Sequence, residues 1–466
     1  MPPAQRPVLI GLITGATVVV LDFFIVLACL PSIEHALDAS SAQMQLIMAA
    51  YAIANGTFLV LGGRLGDLLG RKRVFMWGLG SFALASAACG MATSPVMLIL
   101  FRVLQGFSGA LLQPQVLGLL TVNFEGPCQR RAFGYYGAAM GLAGILAQVV
   151  AGTMLELLPA GTGWRACFLL SVPVCALAAH GARHAADGRR SAVKGVDFVG
   201  AGLLASTLGC LGAFLTTIRE PNRPIPAWVL LAAALLTAAL FAIWLARGRA
   251  TGAERIIPPG ILGANGFGFG LLKIVAFFSG VASLYFVLAL ELRVASGFRP
   301  IQVGLYFALI GVCFALASSS VRLRAFVGER WATAGLSILL TGHTLMAWAS
   351  VGASGSTKAL IFGVSCAAQG IGIGLILAPL MERTISRAPR NEVSMGSGMA
   401  ASAQQMGNSL GICLIGLAYF GSGPSSPAAT LLHGMPGAVV YLDITLLCLA
   451  SLFGIGSHRL QPVARS

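Results

Sequence analysis

Three ionisable side chains draw attention by their position: Asp22, Arg102 and Lys273 each fall inside a long apolar stretch of a 466-residue chain. A charge in the hydrocarbon of a bilayer costs about 2.5–3.5 kcal/mol even on a lenient insertion scale, so a charge kept there marks a functional candidate. Asp22 lies about 15 residues into the first apolar stretch, clear of both interfaces, where a lone carboxylate suits the carriage of a proton. Arg102, in the fourth stretch, is able to bond the carbonyl oxygens of neighbouring helices. Lys273 lies about seven residues into the ninth stretch with no acidic partner along its helix. It either snorkels to the interface or faces a cavity, and in a cavity it argues against a purely cationic substrate. Asn55, Gln105, Gln113, Gln148, Gln369 and Gln405 are uncharged polar residues placed to line such a cavity; Gln404 is adjacent to Gln405, so only one of the two readily faces it. Glu156, Glu291 and Asp443 fall near outer ends and are expected to be solvated, and His180 and His343 near inner ends as polar side chains in the protein interior. The ninth stretch also carries Phe277, Phe278, Tyr285 and Phe286 at helical spacing, which suits either lipid contact or an apolar pocket.

The elements that position these residues follow from composition. Hydrophobic residues make up 57% of the chain and charged residues 10%, against roughly 25% charged in a soluble domain. A soluble fold of this size lacks the polar surface to cover itself, and a disordered chain would be poor in apolar residues. The composition therefore specifies an all-α polytopic membrane protein. One helical crossing needs about 20 mostly apolar residues, and fourteen segments qualify: 7–30, 43–63, 74–94, 96–120, 133–155, 166–183, 198–218, 226–246, 266–290, 302–320, 331–352, 358–381, 396–420 and 437–457. Short connections leave no room for a sizeable soluble domain.

Loop charge fixes the orientation. With the N-terminus in the cytoplasm, 22 of the 30 Lys and Arg residues fall on the inner face and 6 on the outer, with Arg102 and Lys273 inside spans. That bias is the positive-inside pattern, with both termini cytoplasmic, and one missing span in the middle would spoil it. The net charge of +15 is accordingly spread over many short loops. It suits attraction to anionic lipid and not nucleic acid, for which no basic run with aromatic neighbours is present. The ten cysteines contain no CxxC and sit mostly within spans, as small apolar filler. The first segment contains Asp22 and no cleavage site follows it, so it is read as a retained span.

The chain also repeats itself. Gln105-Gly106 with Pro114 downstream recurs as Gln369-Gly370 with Pro379, at an offset of 264 residues. The same offset carries Gly134 to Gly398 and brings the stretch 63–73 to the neighbourhood of 320–330, where Arg322, Gly328 and Arg330 remain without the aspartate. Duplicated bundles with a binding site between them are a common plan of membrane transporters. Three parts follow: a six-helix bundle over 1–190, two extra helices with their linkers over 191–260, and a second six-helix bundle over 261–466.

The stretch Gly63-Arg64-Leu65-Gly66-Asp67-Leu68-Leu69-Gly70-Arg71-Lys72-Arg73 resembles the signature loop of the major facilitator superfamily, G-x-L-x-D-R-x-G-R-R/K, with Leu68 where an Arg is usual. Other stretches are similar to the fourteen-helix drug–proton antiporter branch. Leu21-Asp22-Phe23-Phe24-Ile25-Val26 through Pro31 resembles its first-span motif, with Phe24 and Leu27 in place of Thr and Asn. Arg102-Val103-Leu104-Gln105-Gly106 resembles its fourth-span motif, Trp164-Arg165 through Pro173 its sixth-span motif with Ser171 for Asn, and Val196-Asp197 the start of the extra pair. Gln404 through Gly411 resembles its thirteenth-span glycine-rich motif. The fifth span departs: Ala147-Gln148-Val149-Val150-Ala151-Gly152 stands where the branch has G-P-x-x-G-G, so the kinking Pro is replaced by Gln148.

The resemblance implies a secondary active transporter of a bacterial cytoplasmic membrane, exporting amphipathic or lipophilic small molecules by alternating access in exchange for protons. It links Asp22 and Arg102 to proton coupling and the loop of Gly63, Arg64, Gly66, Asp67, Gly70, Arg71, Lys72 and Arg73 to gating. Gln148 and Lys273 favour the alternative, a lipid or metabolite exporter or facilitator without tight proton coupling. The expected partners are a small-molecule substrate, protons and membrane lipid, with the protein a monomer and no cofactor or metal. No H-E-x-x-H metal motif and no G-x-x-x-x-G-K-[ST] nucleotide loop occurs, so an enzyme or an ATP-driven pump is not expected.

Overall fold

The computed structural model describes residues 5–159, 161–187, 197–218, 226–251, 261–320, 327–352, 354–389, 393–419, 438–439 and 442–446. Among the described residues all regular structure is helical. The long helices are α1 (Arg6–Leu37), α2 (Ser41–Leu69), α3 (Arg71–Gly90), α4 (Pro95–Asn123), α5 (Gly126–Leu157), α6 (Gly163–Ala182), α7 (Phe198–Thr217), α8 (Ala227–Thr251), α9 (Phe267–Leu290), α10 (Pro300–Ser319), α11 (Trp331–Gly352), α12 (Gly355–Ile385) and α13 (Val393–Tyr419). They match the first thirteen expected spans in order. The fourteenth lies mostly outside the described residues, with 442–446 helical within it.

Local chemistry sets several boundaries. Ser40 starts α2 with a capping box: its hydroxyl accepts from the Gln43 N–H while the Gln43 side chain accepts from the Ser40 N–H. Ser94 caps α4, whose first residue, Pro95, has no N–H to leave unsatisfied. The Arg165 guanidinium, just inside α6, donates to the Gly90 and Ala92 carbonyls at 2.9 and 2.7 Å, closing the end of α3. Eleven of the described helices are long and apolar enough to cross a bilayer. The two others, α3 and α13, are less apolar: α3 opens on three basic residues, and α13 carries Gln404, Gln405, Asn408 and several serines.

Helices α1–α6 pack into one bundle and α9–α13 into another on the same plan. α2 lies on α4 as α10 lies on α12, α3 on α4 as α11 on α12, and α1 on α5 as α9 on α13. The repeat has a direct physical basis at Gly106 and Gly370. A Cβ at Gly106 would collide with the Tyr51 carbonyl of α2, and one at Gly370 with the Ile310 carbonyl of α10. Both glycines let two backbones touch, which is how helices gain van der Waals contact in lipid.

Two seams join the bundles, α2 against α13 and α5 against α10, and the pseudo-symmetry exchanges them. The extra pair breaks that symmetry. α7 lies along the α2–α13 seam, with Gly212 against Ile53 and Cys413, and touches both helices. α8 is tied to α7 by Thr207–Thr237 at 3.0 Å and by Asp197, whose Oδ1 accepts from Gly200 N–H and from Trp244 Nε1.

The bundles are joined unequally at their two ends. Toward the end opposite the α2–α3 junction, Ile25–Ile33 of α1, Trp164 and Phe168 of α6, Phe277–Leu290 of α9 and Leu292 just beyond it belong to one continuous apolar core. There Phe24, Tyr285 and Phe307 form an edge-to-face chain across the bundles, and Arg299 meets Glu156 at 3.3 Å. Toward the α2–α3 end the first bundle has a core of its own, from Val8–Val19, Phe75, Phe82 and Leu119. Contact of α5 with α10 runs through Gly152, Gln148 and Ile145; further along α5, a Cβ on Gly141, Gly137 or Gly134 would meet nothing within 4 Å.

Candidate functional site

Inside the first bundle the polar residues of four helices converge. Arg102 and Asp22, 80 residues apart in sequence, form an ion pair with Nη1 2.5 Å from Oδ2, and both side chains are fully buried. Gln105, one turn along α4 from Arg102, accepts from Arg102 Nη1 at 2.7 Å and donates from Nε2 to Asp22 Oδ1 at 2.7 Å and to Ser86 Oγ of α3 at 2.7 Å. Arg102 Nε donates to the Ile47 carbonyl of α2 at 3.2 Å. The guanidinium lies over the Tyr51 ring, 4.2 Å from its centroid. Each carboxylate oxygen therefore has a donor, while Arg102 Nη2 is buried with no partner among the described residues. An ion pair in the interior repays its desolvation only when further hydrogen bonds satisfy its remaining groups, and Gln105 and Ile47 supply them. The arrangement can hold a proton on Asp22 and exchange it for the Arg102 contact.

Asp22 is thus not the lone carboxylate expected from sequence, and Gln105, expected in a cavity wall, is turned into this cluster. Ser86 and Tyr51 went unnoticed in the sequence because a serine and a tyrosine in apolar helices are ordinary; only their positions relative to Arg102 distinguish them.

The other expected cavity residues divide. Asn55 is buried on α2, donating from Nδ2 to the Gly106 carbonyl at 3.3 Å and accepting at Oδ1 from Gln405 Nε2 of α13 at 3.1 Å. Gln405 Oε1 in turn accepts from Asn408 at 2.8 Å, so a polar bridge crosses the α2–α13 seam. Gln148 is buried on α5 and donates to the Phe24 carbonyl at 2.6 Å, with its Oε1 buried and unpartnered among the described residues. Gln369 is buried on α12, donating to Ser365 Oγ at 3.0 Å, and Ser365 reaches the Gly342 carbonyl of α11 at 2.8 Å. Gln113 is half-buried on α4. Lys273 is buried on α9, with its ammonium 4.9 Å from the Phe269 ring centroid. Gln115 was missed: it is buried on α4 and bonds the Gly62 carbonyl of α2 at 2.8 Å.

The signature stretch is mostly helix and not loop. α2 continues through Gly63, Arg64, Gly66 and Asp67 to Leu69, and the chain turns only at Gly70, whose φ of 100° is natural for glycine. Arg71 opens α3 and reaches back across the turn to Asp67 at 2.9 Å. Lys72 donates from its N–H to Asp187 Oδ1 at 3.1 Å and from Nζ to the Arg183 carbonyl at 2.7 Å, which joins the turn to the end of α6. Arg73 is exposed. The related stretch of the second bundle, 320–330, falls largely outside the described residues.

Glu156 sits at its helix end, salt-bridged to Arg299. Glu291, expected to be solvated, is instead buried at the start of a π-helical turn, Glu291–Ala295, and His180 is exposed. Gly407-Asn408-Ser409-Leu410-Gly411 spells G-x-S-x-G, yet it lies within α13 with Gly411 against the Ser279 backbone of α9. It lacks the strand-to-helix turn that exposes a nucleophilic serine. Among the described residues no group of three or more His, Cys, Asp or Glu could hold a metal.

Comparison with known proteins gives a consistent result. A family model described as Major Facilitator Superfamily matches residues 12–412. The chain is 31% identical to a probable actinorhodin transporter of Streptomyces coelicolor over 441 residues, covering 93% of this chain and 76% of that one. It is 30% identical to a puromycin resistance protein of Streptomyces alboniger over 470 residues, covering 95% and 90%. The crystal structure of a bacterial homologue of the human lysosomal transporter Spinster superposes with a TM-score of 0.67 at 16% identity, covering 99% of this chain and 100% of that one.

Proposed function

This chain belongs to the Major Facilitator Superfamily, and from that premise we propose that it exports amphipathic or lipophilic, drug-like small molecules in exchange for protons. The observation that carries the reading is the Asp22–Arg102 pair with Gln105, fully buried inside the first bundle. Relatives named for actinorhodin transport and puromycin resistance support cargo of this class.

In the proposed cycle Asp22 alternates between ionised and neutral forms. Ionised, it joins α1 to α4 through Arg102. A proton on Asp22 removes the charge that holds Arg102 Nη1, and the guanidinium is then free to favour a different helix arrangement. A ligand shifts a conformational equilibrium only through differential affinity for the two states, and here the proton supplies it. The unequal joining of the bundles supports alternating access: they share a core at one end, while toward the other a Cβ on Gly134, Gly137 or Gly141 of α5 would meet nothing within 4 Å. With the α2–α3 turn in the cytoplasm, as the basic loops favour, this is an inward-open form. The protein would then sit in a bacterial cytoplasmic membrane with both termini inside, as a monomer of two bundles (1–190 and 261–466) and an intervening helix pair. Asp67–Arg71 and the Lys72–Asp187 contact would act as the gate at that face. Asn55, Gln113, Gln148, Lys273, Gln369 and Gln405 would meet the cargo as the bundles rock, after Gln148 and Gln405 exchange their present partners.

The test is puromycin uptake into inverted vesicles, where export runs inward, with and without an imposed proton gradient. Asp22→Asn keeps the shape and the Gln105 contact, so it is expected to fold, to bind and to lose gradient-driven efflux at least tenfold. Full activity in that variant would sink the proposed role. The unpartnered Gln148 Oε1 and the buried Lys273 ammonium favour a second reading, export of lipid or an anionic metabolite without tight coupling. Efflux that ignores the gradient in the unmodified protein would select it.

A further inference from the structure

The second bundle has no counterpart of the Asp22–Arg102 pair. At the repeat offset of 264 residues, Asp22 corresponds to Phe286 and Arg102 to Cys366, both fully buried. The bundle instead holds an ionisable pair of its own. His343 of α11, 3% exposed, places Nδ1 3.1 Å from Oδ1 of the half-buried Asp443 on the helical stretch 442–446. The positions that correspond to these two in the first bundle are Leu79 and Ala179. Each of these two pairs thus falls where the related bundle is apolar. Neither pair is a leftover of the duplication, and both are costly to place in a bilayer.

The surroundings of His343 suit exchange of a proton. The imidazole lines a small cavity together with Phe277, Gly280 and Leu284 of α9, Leu339 of α11 and Thr445, of about 10 Å³. That is roughly enough for a single water. Facing the pair from α9 are apolar residues, with Lys273 one turn further along the same helix; α12 presents Ile373, with Cys366 as its buried ionisable residue. Imidazole is the side chain whose ordinary titration, at roughly pH 6.5, falls in the physiological range.

We propose that His343 and Asp443 are a second proton-binding pair, separate from Asp22–Arg102, which takes up and releases one proton per transport cycle. In the empty form the neutral imidazole donates Nδ1–H to the Asp443 carboxylate. The incoming proton adds to Nε2, the ring nitrogen not bonded to Asp443, and leaves by the same atom, while the carboxylate orients the ring. The inference rests on the exporter reading for its role in transport, but the protonation itself does not depend on that reading.

Two measurements test it. In the purified full-length protein with ¹⁵N-labelled histidine, the resonance absent from His343→Gln should pass from the neutral to the doubly protonated form as the pH is lowered, at a point that moves in Asp443→Asn and stays in Asp22→Asn. In proteoliposomes that report proton and ethidium flux together, His343→Gln and Asp443→Asn should each lower the protons moved per ethidium by about one, with Asp443→Glu restoring them. A purely structural tie between α11 and the terminal stretch would move neither readout. Should His343→Gln fail to fold, Asp443→Asn, which keeps a hydrogen-bonding partner, carries both arms. A resonance that holds one protonation state at every pH at which the protein stays folded, or a proton count unchanged in both variants, overturns the proposal. If the unmodified protein moves no ethidium against its gradient, the exporter reading fails, and the titration alone decides the pair.

Discussion

At the scale of single residues, the buried cluster behaves as a unit whose parts are worth different amounts. Removing one partner of an interior ion pair leaves the other charge uncompensated, which costs about 3–5 kcal/mol. Arg102→Ala should sit in that range, since it also loses the Ile47 carbonyl and the Tyr51 ring. Asp22→Asn should cost less, because an amide still bonds Gln105 and Arg102 keeps its other contacts. Combined, Arg102→Ala and Asp22→Asn should destabilise by at least about 1 kcal/mol less than the sum, the sign of direct coupling. Thermal unfolding of the four proteins in detergent measures it, and additivity would mean the two side chains do not act on each other. Sequence alone revealed both charges, because a charge in an apolar stretch is visible one residue at a time. It did not reveal that they meet, since a contact 80 residues apart depends on how α1, α3 and α4 are packed. For the same reason Gln105 looked like a cavity residue: an amide in a helix has no legible direction until its neighbours are placed.

At the scale of elements, legibility improves, because helix length and apolar content are local properties. The helices follow the expected spans closely, and the stretch 63–73 departs only in being mostly helix where a loop is expected: glycines at 63 and 66 are tolerated inside α2, where Gly66 lies against the Gln115 side chain. The cost of an error in packing is highest where backbones touch. Gly106→Leu should prevent α4 from seating on α2, since even a Cβ would strike the Tyr51 carbonyl. A proteolysis assay should find that variant cleaved in its membrane domain, while Gly134→Leu, which meets nothing within 4 Å, remains resistant. The seam helices make a finer prediction. The Asn55–Gln405 bond is one hydrogen bond across the bundles, at a net worth of about 0.5–1.5 kcal/mol. Asn55→Ala and Gln405→Ala should each shift the balance of the two access states by threefold or more without unfolding the protein. Accessibility of a cysteine placed at Gly141 to a water-soluble maleimide reports that balance. Equal labelling in all three proteins would mean that the bridge does not distinguish the states.

At the scale of the whole molecule, the two seams are not equivalent although the repeat makes them formally so. The α2–α13 seam carries the Asn55–Gln405 bridge and is covered by α7, whose Leu208 and Leu215 join an apolar cluster with Ile53 and Cys413. The α5–α10 seam has no such cover from α7 or α8 among the described residues, and beyond Ile145 on α5 a Cβ at Gly141, Gly137 or Gly134 would meet nothing within 4 Å. Motion that opens the closed end must part the Glu156–Arg299 ion pair and the Phe24–Tyr285 contact. An exposed ion pair is worth only about 0–1 kcal/mol, so it is easily broken, and a covalent tether in its place is not. Glu156→Cys with Arg299→Cys, joined by a short bifunctional thiol reagent, should therefore leave cargo binding from the open end within about threefold while stopping efflux at least tenfold. Cleaving the link should restore it. Each single cysteine treated with the same reagent is the control. A linked protein that still exports would mean that the ends do not alternate, and the molecule would then work as a channel through the open side of α5 and α10.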